Sequence, residues 1–209
     1  MIIFASDTPE YTVPTNALLI NKALGATNAN AIFDINNNCT SMVVALDNAT
    51  HFMKAHKDVK KAIVVGSFHA SAMVRFDDTA TYPNFGDAST ALLLEKTEDE
   101  ETRGYIDSRY KSDNSYADCV KFPACEHAEA LLGKQHKYYR RLEWNPFDSS
   151  FFSDVFAEAI TSLMKEHNVT DDDIAFYAFN QLSNAQNQET LTKIGAKIDE
   201  RYLYFHDRM

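Results

Sequence analysis

The constraint that narrows this chain most is the order in which its apolar runs change period. Residues 2–5, 31–35, 62–65, 91–94, 174–179 and 202–205 are short apolar runs rich in β-branched and aromatic residues, the composition of buried strands. Helical patterns stand between them. Residues 18–24 close at Gly25, the residue best suited to the left-handed turn that ends a helix. A second pattern begins at Cys39 and sets Met42, Val43, Leu46, Ala49 and Met53 on one face. A third covers 150–167, with Phe152, Val155, Phe156, Ala159, Ile160, Leu163 and Met164 inward and Asp148 or Ser149 as its cap. A fourth covers 184–194 and ends at Gly195. Strands alternating with helices predict an α/β fold, a largely parallel sheet with helices on its faces. The order strand, helix, strand occurs at the start (2–5, 18–24, 31–35) and again at the end (174–179, 184–194, 202–205), with little residue identity between the two. This predicts two related βα halves: 1–95, a polar connecting excursion over 96–147, and 148–209.

Composition removes several function classes. The 209 residues carry a net charge of -10, with 45% apolar and 24% charged residues, and the basic residues are not gathered into a patch. Nucleic acid is therefore excluded as a partner, because phosphate binding needs clustered Lys and Arg. No apolar run approaches the roughly 18 residues that span a bilayer, so no membrane is expected. Cys39, Cys119 and Cys125 form no disulfide framework, and residues 1–5 are too short for a leader, which together predict the cytoplasm. Cys119, Cys125 and His127 have the wrong spacing for a zinc knuckle, so no metal site is predicted. Gly86-Asp87 lacks the glycine pattern of a dinucleotide loop. The acidic run 98–101 reads as a solvated turn, and Tyr138-Tyr139-Arg140-Arg141 as the entry of a surface helix.

The candidate nucleophile is Cys39. Residues 33–41 read as a buried strand, a polar turn Asn36-Asn37-Asn38, and a helix starting at or just after the cysteine. A helix N-terminus offers partial positive charge and unpaired N–H groups, which favour thiolate and can hold an oxyanion.

The stretch Asn36-Asn37-Asn38-Cys39-Thr40-Ser41-Met42 resembles the nucleophile turn of the ketoacyl-ACP synthase III family of the thiolase-fold superfamily. Ile2-Ile3-Phe4-Ala5-Ser6-Asp7-Thr8-Pro9-Glu10-Tyr11 with Val13-Pro14 is similar to that family's strand and loop before the nucleophile. Ala62-Ile63-Val64-Val65-Gly66-Ser67 is similar to its following strand, and Asn84-Phe85-Gly86-Asp87-Ala88 to its Phe-Gly-Asp-Gly-Ala turn. The matches are collinear over nearly the whole chain. The resemblance implies a thiolase-like fold with layered helices and mixed sheets, and a homodimer paired through the strand at 62–65. It further implies acyl transfer through a Cys39 thioester, with acyl-CoA or acyl-carrier phosphopantetheine as substrate and partner and no further cofactor.

This sequence departs from the family pattern where the family keeps a histidine. Its His-Gln-Ala-Asn turn reads Asn180-Gln181-Leu182-Ser183-Asn184 here, so Asn180 takes the histidine's place. Asparagine donates a hydrogen bond but cannot act as acid or base. His69 and His206 are formal substitutes. The family's last asparagine turn and glycine-rich segment would follow Met209, and its first strand would precede Met1, so the resemblance implies a chain trimmed at both ends and poorly active alone. The alternative is a non-catalytic scaffold or partner subunit that has lost condensing chemistry.

Overall fold

The computed structural model describes residues 1–97, 103–132 and 141–205. The acidic run 98–101, Tyr138 to Arg140 and His206 lie outside the described residues. The chain divides into two compact units, Met1–Ile106 with Phe122–Leu142, and Asp107–Lys121 with Glu143–Met209.

The first unit contains β1 (Ile2–Ala5), α1 (Asn16–Leu24), β2 (Ile32–Ile35), α2 (Ser41–Ala55), β3 (Lys61–Phe68), α3 (Ala70–Met73), β4 (Ala88–Glu95) and α4 (His127–Leu131). Its four-stranded sheet has the order β2-β1-β3-β4. β1 runs parallel to β2 and β3, and β4 runs antiparallel to β3. The unbroken apolar run of β1 fits its place, because helices cover both faces. Ile3 and Ala5 join Ala45, Ala49 and Met53 of α2 on one side. Ile2 and Phe4 join Ala17 and Ile20 of α1 on the other. The period of two along the strand sorts these side chains between the faces. As predicted, α1 closes at Gly25, whose φ of 60° is left-handed.

Two expectations need correction here. Val43 points away from the core at 65% exposure. The inward row of α2 runs instead through Ala45, Ala49 and Met53, four residues apart. Second, β3 is no free edge. It pairs with β1 on one side and along its whole length with β4 on the other, so its backbone groups are already used. The edges of this sheet are β2 and β4.

The alanines let α2 lie close to the sheet, and Gly66 continues that approach at its N-terminal end. A Cβ at Gly66 would overlap Met42 Sδ. Gly66→Ala therefore requires the flexible Met42 side chain to move, and is expected to cost about 1 kcal/mol in urea unfolding, the low end for overpacking. In a double-mutant cycle that cost should disappear in a Met42→Ala background; the same cost in both backgrounds would reject this contact as the cause.

An acidic residue of β2 ties the unit together. Asp34 Oδ2 accepts from Asn16 N at 2.7 Å and Asn16 Nδ2 at 3.0 Å, while Oδ1 accepts from Ala17 N at 2.8 Å. The carboxylate thus caps α1 from a neighbouring strand, at the end where negative charge is favoured. Buried Asn16 also accepts from Glu10 N at 3.1 Å and donates to Tyr11 O at 3.3 Å, which fixes the loop after β1.

The second unit contains β5 (Val120–Lys121), β6 (Glu143–Trp144), α5 (Phe151–Glu166), a 3-10 turn at Asp171–Asp173 and α6 (Asn184–Lys193). β5 and β6 form an antiparallel pair. α5 and α6 pack together, burying Ser153 and Ala157 on one and Asn187, Thr190 and Leu191 on the other. The runs at 174–179 and 202–205 were expected as strands, but they meet at one parallel bridge, Tyr177 to Tyr202. Side chains take the places a ladder would fill. The Arg201 guanidinium donates to Asp171 O at 2.5 Å and Ile174 O at 3.3 Å. Gln181 Nε2 donates to Leu203 O at 3.3 Å, and its Oε1 accepts from Phe205 N at 2.7 Å. Among the described residues, no helix is long and apolar enough to cross a membrane.

Candidate active site

Cys39 lies between β2 and α2, in the first unit. The turn that carries it is built from its own polar side chains. Asn36 Oδ1 accepts from Asn38 N at 3.1 Å, and Ser41 Oγ accepts from Asn37 N at 2.7 Å while donating to Asn38 O at 2.6 Å. Asn37 Nδ2 donates to Thr40 Oγ1 at 2.7 Å. Asn38 takes a left-handed φ of 52°, a conformation asparagine tolerates better than most residues, and so turns the chain sharply into Cys39. Thr40 is the N-cap of α2, which puts Cys39 one residue outside the helix.

That offset matters for the thiol. Cys39 as a residue keeps solvent contact. Protein packed around its sulfur nonetheless disfavours the charged form, and the carboxylate of Asp7 adds to this; a hydrogen bond from the backbone of Cys39 opposes them. The result is a thiol pushed above its ordinary value. This runs against the acidification expected from the helix terminus: burial first, and the Asp7 carboxylate after it, raise the thiol, and Cys39 stands outside the first turn, where the dipole mainly acts.

Asn180 belongs to the second unit and is exposed. Its Oδ1 accepts from Leu182 N at 3.0 Å, closing a turn, and its backbone O accepts from buried Asn187 Nδ2 at 2.7 Å. Ser183 then caps α6, its side chain accepting from Gln186 N at 3.3 Å. With the amide oxygen engaged, the group Asn180 can offer a ligand is its Nδ2 donor.

The family described as 3-oxoacyl-[acyl-carrier-protein (ACP)] synthase III matches residues 33–114, which include the Cys39 turn. The beta-ketoacyl-[acyl-carrier-protein] synthase III of Chlorobium chlorochromatii is 30% identical over 208 residues, covering 95% of this chain and 59% of that protein. The enzyme of the same name from Clostridium novyi is 26% identical over 99% of this chain and 62% of its own length. The solved 3-oxoacyl-(acyl carrier protein) synthase III of Pseudomonas aeruginosa superposes with a TM-score of 0.82 at 20% identity, over 96% of this chain and 60% of that one. The chain is thus similar to ketoacyl-ACP synthase III over nearly all of its length. Its fold is thiolase-like, and it spans about six tenths of the length of the curated relatives it matches.

In this synthase III-like chain the other sequence candidates fall as follows. His69 is in the same unit as Cys39, and its backbone N donates to Thr8 Oγ1 at 2.9 Å. Its ring stands 3.8 Å from Asp87, which accepts from Ser71 N and Ser71 Oγ at 2.8 and 2.7 Å; those bonds hold the Asp87 carboxyl below its usual range. His69 and Asp87 line an open cleft of about 480 Å³ with Phe4, Thr8, Asn16 and Ser67. Cys39 is not among the residues lining it. The Phe-Gly-Asp turn is thereby anchored to α3, which is a structural use of its aspartate.

Cys119 belongs to the second unit and buried Cys125 to the first. Asp107, Glu166 and His167 bring potential metal ligands within 4.8 Å of one another. Arg109 pairs with both Asp107 and Glu166, so a guanidinium already neutralises that cluster. Sequence reasoning missed Asp7 as the charge nearest the nucleophile. Its signal was available: Asp7 and Cys39 both follow strands that the βα pattern makes parallel neighbours.

Proposed function

We propose that the protein transfers acyl groups through a thioester on Cys39, drawing them from acyl-CoA or acyl-carrier thioesters in the cytoplasm, as a ketoacyl synthase III homologue. What carries this reading is the Cys39 turn: a sharply bent, solvent-accessible cysteine between a half-buried strand and a helix, inside the segment matched by the family. Thiolate attack on the incoming thioester carbonyl would place its oxygen near the N-terminal end of α2, where Thr40 N and Ser41 N are already bonded to Asn37 O and Asn38 O and the helix's partial positive charge can stabilise the developing charge. Asn180 Nδ2 supplies a neutral hydrogen-bond donor where the family pattern has histidine, which favours acyl transfer to an oxygen or nitrogen acceptor over decarboxylative condensation. A homodimer is part of the proposal, formed through β2 or β4 since β3 is internal.

The raised thiol supports one rival, a scaffold or partner subunit with an inert cysteine. Incubation with acetyl-, butyryl- and octanoyl-CoA, followed by intact mass and peptide mapping, separates the two. One acyl mass located on Cys39 is the expected result. No adduct from any donor would hand the protein to the scaffold reading.

A further inference from the structure

Asn180 cannot take a proton, so acyl transfer at Cys39 needs another group to receive the one its sulfur carries. The parallel pairing of β1 and β2 brings one there. Their register sets Ala5 beside Ile35, and Ser6 N donates to Ile35 O at 3.1 Å. Adjacent strands lie about 4.8 Å apart, so residues 6–8 and 36–39 leave the same end of the sheet side by side. Asp7 is half-buried, and its charge acts on Cys39. The loop that holds it is pinned: Thr8 N donates to Ser6 Oγ at 2.9 Å, and His69 N donates to Thr8 Oγ1 at 2.9 Å. Burial raises the Asp7 carboxyl, and only its own backbone opposes this, with no cation contributing. Such a carboxylate holds a proton more readily than an exposed one.

We propose, resting on the acyl-transfer reading above, that Asp7 is the proton acceptor for Cys39. As the Cys39 S–H bond breaks, an O–H bond forms on Asp7, and Sγ bonds to the thioester carbonyl carbon. The carbon–sulfur bond to the pantetheine arm then breaks, and the departing thiolate takes the proton from Asp7, which ends ionised as it began. Burial of the sulfur, with the same charge adding to it, makes the resting thiol reluctant to ionise: it is kept protonated until an acyl donor arrives.

The test compares two reactions of Cys39 in the wild-type chain, Asp7→Asn and Asp7→Glu. Alkylation by iodoacetamide needs thiolate but no proton delivered to a leaving thiol. Acylation by acetyl-CoA needs both. Asp7→Asn is expected to speed alkylation, up to about tenfold for one pKa unit, while slowing acylation by about 10²-fold, the lower range for general acid–base catalysis. Asp7→Glu should restore part of the acylation rate. Labelling of buried Cys125 in the same samples reports any unfolding, and Asp7→Ser serves as the second variant should Asp7→Asn unfold. Acylation of Asp7→Asn as fast as wild type, or faster, overturns the proton-acceptor role and leaves only charge repulsion, with the acyl-transfer reading intact. A wild-type chain that takes no acyl group sinks that reading, and this inference with it.

Discussion

Carbon dioxide release from labelled malonyl thioester is expected to stay at background, and to rise when Asn180 is replaced by histidine. Decarboxylation leaves an enolate that must be held by hydrogen bonds, and loss of one oxyanion donor costs about 3–4 kcal/mol in comparable sites. On the proposed reading Asn180 offers a donor, its Nδ2, while its Oδ1 accepts from Leu182 N. What it lacks is a titratable ring, and general acid–base catalysis is worth about 10²–10⁴-fold. Asn180→His should therefore raise release by at least about 10²-fold, on the same principle, with intact-mass detection of acylated Cys39 run alongside. Brisk release by the unmodified protein would show that Asn180 is not in the enolate site. A folded Asn180→His protein with no added release would reject the assignment equally.

The largest stability effect is expected at Asp34. Its two oxygens satisfy Asn16 N, Asn16 Nδ2 and Ala17 N together, and Asn16 is buried. Asp34→Ala leaves Asn16 N and Ala17 N without their acceptor, while Asn16 Nδ2 keeps Tyr11 O. An orphaned buried donor costs about 1–3 kcal/mol, and a lost N-cap about 0.5–2 kcal/mol. The terms overlap, so the total should be about 3 kcal/mol. For a chain of this size that lowers Tm by about 6–12 °C, readable by circular dichroism. Asp34→Asn keeps one acceptor oxygen and should lose about half as much on the same scale. An Asp34→Ala protein melting within about 2 °C of wild type, less than 1 kcal/mol, would show that Asp34 is not the cap.

Much of the first unit was legible because its sequence and its contacts agree. Ile2 to Ala5 is apolar on both sides and is buried on both sides. Gly25 and Gly195 both stand in the left-handed region just past helices. Legibility failed where a long-range partner decides the outcome. Nothing local in 62–65 states whether the strand is an edge or an interior one; that depends on β4, which returns antiparallel after the nineteen residues 69–87, bridged by α3 and the Phe-Gly-Asp turn. The same holds for 174–179 and 202–205, whose composition is strand-like but whose backbone groups are taken by Arg201 and Gln181. At the candidate site, Cys39 and its turn could be found from the resemblance and the helix pattern. The sign of its electrostatics could not, because it is set first by the burial of the sulfur and then by Asp7, distant in sequence and brought near by strand pairing.

The Gln181 amide has one more consequence, and it concerns time. It stands in for a missing strand neighbour, holding Leu203 O and Phe205 N through a single flexible side chain. A ladder such as that of β1 lets go only when several hydrogen bonds break together, so its amides open with the cooperative unfolding of the sheet. A side-chain clasp lets go whenever its rotamer turns over, which takes nanoseconds rather than seconds. The β1 ladder is therefore renewed with the unfolding of its sheet, whereas the hold on Leu203 O and Phe205 N is renewed with the motion of one glutamine.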